Sequence, residues 1–145
     1  MQDRLKFRFF DVGNKKMYDV KNICFVGEPI VTVDYKPVIK KQIYKGYLIQ
    51  CTGLKDKNGK LIYEGDILDL YVSTKKLYRY QVKFEIGSFM LVSQDEIFDF
   101  KNVWNDYVYP LSQLYYEYQN EENYIDECEI IGNIYENPEL IKDGE

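Results

Sequence analysis

The sequence predicts a mainly β protein, α+β at most, and three observations carry that expectation. Aromatic residues make up 17% of the 145-residue chain, with 15 tyrosines, and such side chains favour a half-buried pleated surface. Tyr78, Tyr80, Val82 and Phe84 alternate with Arg79, Gln81 and Lys83, the period of two of a strand with one face inward. Turn signals at Asn58-Gly59, Gly65 and Gly87 punctuate the apolar runs at short intervals, as they do where short antiparallel strands follow one another.

The elements follow in chain order. KFRFF, from Lys6, is a strand with Phe7 and Phe9 on one face and Lys6 and Arg8 on the other. DVGNKK is its turn, and KMYDV the returning strand. NICFV and IVTVDY come next, with Val31, Val33 and Tyr35 alternating with Thr32 and Asp34. Pro29 and Pro37 bracket that strand, and proline has no place in a central ladder. KKQIYKGYLIQCT is a further extended segment. Asn58-Gly59 between Lys57 and Lys60 marks a hairpin, because type I′ turns need positive φ at both central residues.

Glu64-Gly65-Asp66 is a second turn. It launches ILDLYV, with Leu68, Leu70 and Val72 facing inward. EIGSFMLV continues the Tyr78–Phe84 strand as a hairpin through Gly87. Residues 93–110 read as an excursion between strands. PLSQLYYEYQN predicts a short helix over Leu111 to Tyr118, and EIIGNIY a last strand. Asn137 before Pro138 predicts a capped terminal helical turn. Strands over 67–72, 78–84, 87–92 and 130–135, joined by short turns, predict an SH3-like β-barrel over roughly residues 60–136. N-terminal β-strands then pack on this C-terminal barrel, with one or two short helices beside it. The chain is expected to be a single domain over 1–145, with sub-units at 1–52 and 53–145.

Composition narrows the chemistry. Hydrophobic residues make up 46% of the chain, enough for a core at this length. Histidine is absent, so no Ser-His-Asp or Cys-His enzyme can be built from this chain alone. Cys24, Cys51 and Cys128 form no CxxC pair, which excludes a zinc ribbon and argues for reduced thiols in a cytosolic protein. No long apolar run marks a signal peptide or a membrane span. No enzyme activity, cofactor or metal is expected.

The net charge of −5 is unevenly spread: residues 117–145 carry −9 and residues 1–116 carry +4. Ile125, Ile130, Ile131 and Ile134 interrupt the acidic end, so it reads as a packed strand with an acidic exposed face rather than a nucleic-acid mimic.

Four residues of the central stretch Gln50–Leu68 are candidates for binding: Lys55, Asp56, Glu64 and Asp66. A turn that starts a strand favours such residues for structural reasons too. Asp56 and Asn58 resemble the start of a calcium loop, but Lys60 stands where a third oxygen ligand belongs and Ile67 where the closing Glu belongs. Cys51 lacks an adjacent base and reads as a buried thiol. Lys40, Lys41 and Lys45 interleave with Tyr44 and Tyr47, and Lys75, Lys76 and Arg79 with Tyr78, which makes nucleic-acid binding the alternative. The negative overall charge opposes it. The abundance of tyrosine favours a protein interface, formed with another protein or with further copies of the chain.

Three blocks, KFRFFDVGNKKMYDV, QCTGLKDKNGKLIYEGDIL and EIIGNIYENPEL, resemble the YopX family of bacteriophage and prophage proteins in order and spacing. Thr52-Gly53-Leu54 and Glu64-Gly65-Asp66 are the most specific part. The family usually has Trp where Phe10 stands and Tyr where Cys51 stands. The resemblance implies phage origin and a mostly β fold, and it supplies no activity and no catalytic residue. The resulting expectation is a non-catalytic binding module that contacts a host or phage protein in the cytoplasm of the bacterial host cell.

Overall fold

A computed structural model describes residues 2–27, 30–33, 41–43, 46–72, 76–93, 108–119 and 124–141. Among them are eleven strands: β1 (Phe7–Asp11), β2 (Lys16–Cys24), β3 (Ile30–Val33), β4 (Lys41–Ile43), β5 (Gly46–Lys55), β6 (Leu61–Tyr63), β7 (Asp66–Val72), β8 (Lys76–Glu85), β9 (Ser88–Ser93), β10 (Val108–Pro110) and β11 (Cys128–Asn133). One helix, α1, spans Leu111–Tyr118 as its sequence predicts. Short 3₁₀ turns cover Gln2–Leu5 and Pro138–Leu140.

The strands form two antiparallel sheets, in the orders β4-β3-β2-β1-β5-β6 and β10-β9-β8-β7-β11. The mainly β class is therefore observed, but neither sheet closes among the described residues, so the SH3-like barrel does not emerge from these pairings. Residues 34–35, Pro29, Pro37 and most of the 93–110 excursion lie outside the described residues.

The first sheet buries residues on both faces because β1 is apolar on both. Phe9 packs with Val31 and Val33 on one side. Phe10 packs with Ile49, Cys51 and Tyr63 on the other. The second sheet holds the larger core, where Leu68, Leu70, Tyr80, Val82 and Leu91 meet Leu111 and Leu114 of α1. The strict alternation expected of β7 fails: Ile67 and Asp69 are as buried as Leu68 and Leu70. Ile67 fills the opposite face, and Asp69 is matched by Arg79, which donates to it from Nε at 2.8 Å and Nη2 at 3.1 Å. A buried carboxylate is tolerated when a guanidinium fork satisfies it.

Two turns differ from expectation. At Asn58-Gly59 the hairpin forms, but only Gly59 has positive φ (80°). The loop spans three residues and closes from Asp56 to Lys60, with Asp56 N–H donating to the Lys60 carbonyl at 2.9 Å. The Asp56 side chain, not a type I′ backbone, organises it. Asn137 does not cap its own turn; its Oδ1 accepts the Asn133 N–H at 3.2 Å instead.

The β8–β9 hairpin does have positive φ at both central residues, Ile86 (54°) and Gly87 (73°). A β-branched residue is strained there, and Ile86 is 87% exposed, so no burial offsets the strain. Ile86→Asn is expected to raise stability by about 1 kcal/mol, read as a melting-temperature increase of roughly 2–4 °C. An unchanged or lower midpoint would refute this account of the turn.

Candidate functional site

The central stretch is built around Asp56, which is 0% exposed. Its Oδ1 accepts the N–H groups of Asn58 and Lys60, both at 2.9 Å, within its own hairpin. Its Oδ2 accepts the N–H of Ile130, at 3.0 Å, from β11. The Lys57 N–H donates to the Cys128 carbonyl at 2.8 Å, and the Ile125 N–H to the Lys55 carbonyl at 2.7 Å. The hairpin is thus sewn to the acidic end of the chain. Gly59 fits against the Tyr124 ring, since a Cβ there would lie 2.9 Å from the tyrosine hydroxyl.

Asp66 begins β7 and is 3% exposed. Its Oδ2 accepts the Tyr63 N–H at 2.8 Å, which closes the Glu64-Gly65 turn. Burial pushes its carboxyl up to about 7, against that hydrogen bond and the Arg8 charge, both of which favour the ionised form. Glu64 is half-buried, and burial raises its pKa while a hydrogen bond from the Gln50 backbone opposes the rise. Gly65, at φ 86°, donates to the Val82 carbonyl at 2.8 Å and accepts from the Ile134 N–H at 2.9 Å.

The four binding candidates are therefore placed as follows. Asp56 and Asp66 are engaged internally. Glu64 is half-buried and accepts a hydrogen bond from the Gln50 backbone. Lys55 holds its Nζ 5.3 Å above the Tyr124 ring centroid, a cation–π distance. Cys51 is buried as expected, and burial raises its thiol pKa. Burial pushes the Cys128 thiol up to about 12.

Among the nucleic-acid candidates, Lys40, Lys45 and Lys75 lie outside the described residues. Lys41 and Lys76 occupy β4 and β8, without described side chains. Arg79 is committed to Asp69 and also donates to the Leu140 carbonyl at 3.3 Å.

The surface chemistry lies beside the motif. A cleft of about 590 Å³ is lined by Phe10, Val12, Lys15, Tyr135, Glu136 and Pro138. Two of its lining residues are aromatic: the Tyr135 ring lies 5.5 Å from Phe10, and Tyr47 packs beside the cleft with its ring 5.2 Å from Tyr135. Burial pushes the Tyr135 phenol up to about 12, so it stays neutral and serves as a platform and hydrogen-bond donor. Asn133 fixes the turn that presents two of the lining residues, with Oδ1 accepting the N–H groups of Tyr135 and Glu136 at 3.0 and 2.8 Å. Sequence reasoning missed this cleft because its residues come from opposite ends of the chain. The available signal was that the first and last sequence blocks both carry aromatic residues beside a turn.

A model of the YopX protein family matches residues 6–142. Protein yopX from Bacillus subtilis is similar in structure, with a TM-score of 0.60 and 18% identity over 96% of this chain and 99% of that one. Protein EF1440 from Enterococcus faecalis gives a TM-score of 0.59 and 26% identity over 94% of this chain and 97% of that one. No curated protein matches the chain in sequence.

Two expectations test the seam. Asp56→Ala orphans three N–H groups, and is expected to cost about 3 kcal/mol or more in urea unfolding; a loss below about 1 kcal/mol would contradict the assigned role. Asp66 binds its proton more tightly folded than unfolded, so wild-type stability should fall as pH rises from about 4 to about 7 and then level off. Asp66→Asn keeps an acceptor for the Tyr63 N–H and removes the titration. Its unfolding free energy should match wild type near pH 4 and exceed it by about 4 kcal/mol above pH 7. Parallel curves for the two proteins would exclude Asp66 as the titrating group.

Proposed function

We infer that this chain, which belongs to the YopX family, is a non-catalytic binding module that seats a segment of a host or phage protein in the Phe10–Tyr135 cleft. The observation that carries the reading is the aromatic floor at the seam. Phe10 and Tyr135 line the cleft, and the exposed Tyr47 ring packs on Tyr135 beside it. Rigid aromatic platforms open to solvent are what protein interfaces use for anchoring contacts. Val12 and Pro138 extend the apolar surface, and Lys15, Glu136 and Glu139 give the rim both signs of charge, which fits a polypeptide with a polar register. The buried carboxylates nearby hold the turns and leave the cleft to shape and aromatic contact. Assembly of several copies through the same surface, in the bacterial cytoplasm, is compatible with this reading.

The test is a tagged pull-down from host-cell lysate, with and without nuclease, using wild type and Val12→Asp in parallel. Val12 is 48% exposed, so the substitution leaves the core intact. Recovery of one protein that survives nuclease and drops at least tenfold with Val12→Asp is the expected result. A partner recovered equally by both, or lost with nuclease, would overturn the assignment of the cleft.

A further inference from the structure

A second cleft, of about 440 Å³, lies elsewhere on the first sheet, with Lys6, Arg8, Asp19, Lys21, Leu61 and Tyr63 among its lining residues. Arg8 sits on β1 between β2 and β5, opposite Asp19 and Ile49. Its guanidinium lies 3.9 Å above the centroid of the buried Tyr63 ring. Stacking of this kind fixes the plane of the fork and lowers the entropy lost when it binds.

The guanidinium is held in place but not neutralised. Its Nε is 3.8 Å from Asp19 Oδ1, beyond hydrogen-bond reach, and the Asp19 side chain is 77% exposed. Water weakens such a pair without abolishing the field of the carboxylate. Among the described residues no hydrogen bond engages the Arg8 Nη atoms, although the side chain is only 35% exposed. A half-buried, flat, unsaturated guanidinium is built for an external oxyanion that accepts two parallel N–H bonds. Lys6, paired with Asp3 at 2.9 Å, adds positive potential at the mouth. Leu5 and Leu61 provide an apolar flank.

We propose that Arg8 anchors a carboxylate-binding site that takes an acidic side chain, flanked by an apolar residue, from a peptide segment. A carboxylate is favoured over phosphate because Asp19, 3.8 Å from the Arg8 Nε, repels a dianion more strongly than a monoanion. An apolar flank also suits a peptide better than an inorganic ion. The site is separate from the Phe10–Tyr135 cleft and stands or falls independently of it.

The test is NMR titration of ¹⁵N-labelled full-length protein, following the Arg8 Nε–H signal. The probes are acetyl-Leu-Glu-Leu-amide, its Gln counterpart and inorganic phosphate. The Glu peptide should give a saturable shift, with the Gln peptide binding at least tenfold more weakly. Arg8→Gln should weaken the Glu peptide at least tenfold, and Arg8→Lys should not restore it, because an ammonium lacks the fork. Asp19→Asn, at an exposed position, should tighten binding severalfold even where the Arg8 variants fold poorly. Val12→Asp should leave it unchanged. Equal affinity for the Glu and Gln peptides, tighter binding of phosphate than of the Glu peptide, or indifference to Asp19→Asn would each overturn the proposal.

Discussion

The buried Asp56 carboxylate is the constraint on which the rest of the structure depends. It satisfies backbone donors from its own hairpin and from Ile130, 74 residues further along the chain. A hairpin loop alone fixes only local geometry. By also holding a donor of β11, Asp56 makes the loop a register mark for an edge strand of the second sheet, next to the bulge between Ile130 and Gly132. Burying a charged acceptor is costly, and the cost is offset only when every nearby donor points at it. The loop and β11 must therefore form together.

The Glu64-Gly65-Asp66 turn carries that order into the other sheet. Gly65 is the one residue that both adopts φ 86° and leaves room for Tyr135, because a Cβ there would lie 2.7 Å from the ring. Tyr135 in turn packs on Phe10 of β1. The beginning, middle and end of the chain meet within a few side chains. This is why the polar residues that look most like a site in the sequence are engaged in folding. The groups with free chemistry, the Tyr47 and Tyr135 rings and the Arg8 fork, lie one layer outside the motif.

Much of the fold was legible because the signals are local. Period-two alternation located β8, Gly87 located its hairpin, and the tyrosine-rich segment after Pro110 gave α1 at the observed bounds, Leu111–Tyr118. What was not legible depends on partners distant in sequence. The burial of Asp69 follows from Arg79 on the neighbouring strand, so the alternation of β7 misleads. Asn58-Gly59 resembles a type I′ turn, yet the Asp56 side chain captures the loop first and leaves only Gly59 with positive φ. Asn137 reads as a helix cap, but the Asn133 N–H lies within its reach and takes its oxygen. The candidate clefts were the least legible of all, since neither is lined by a contiguous segment.

The small cluster beneath the first cleft shows how the core sets the surface. Phe10 and Cys51 fall in it together, with Ile49 and Tyr63. Close packing does not tolerate voids, and the cluster is completed by Met17, Leu61 and Tyr135. Tyr135 is also the floor of the Phe10–Tyr135 cleft, so the volume of this small core and the depth of that cleft are set by the same ring. The side chains at positions 10 and 51 therefore tune the shape of the proposed binding surface from beneath it.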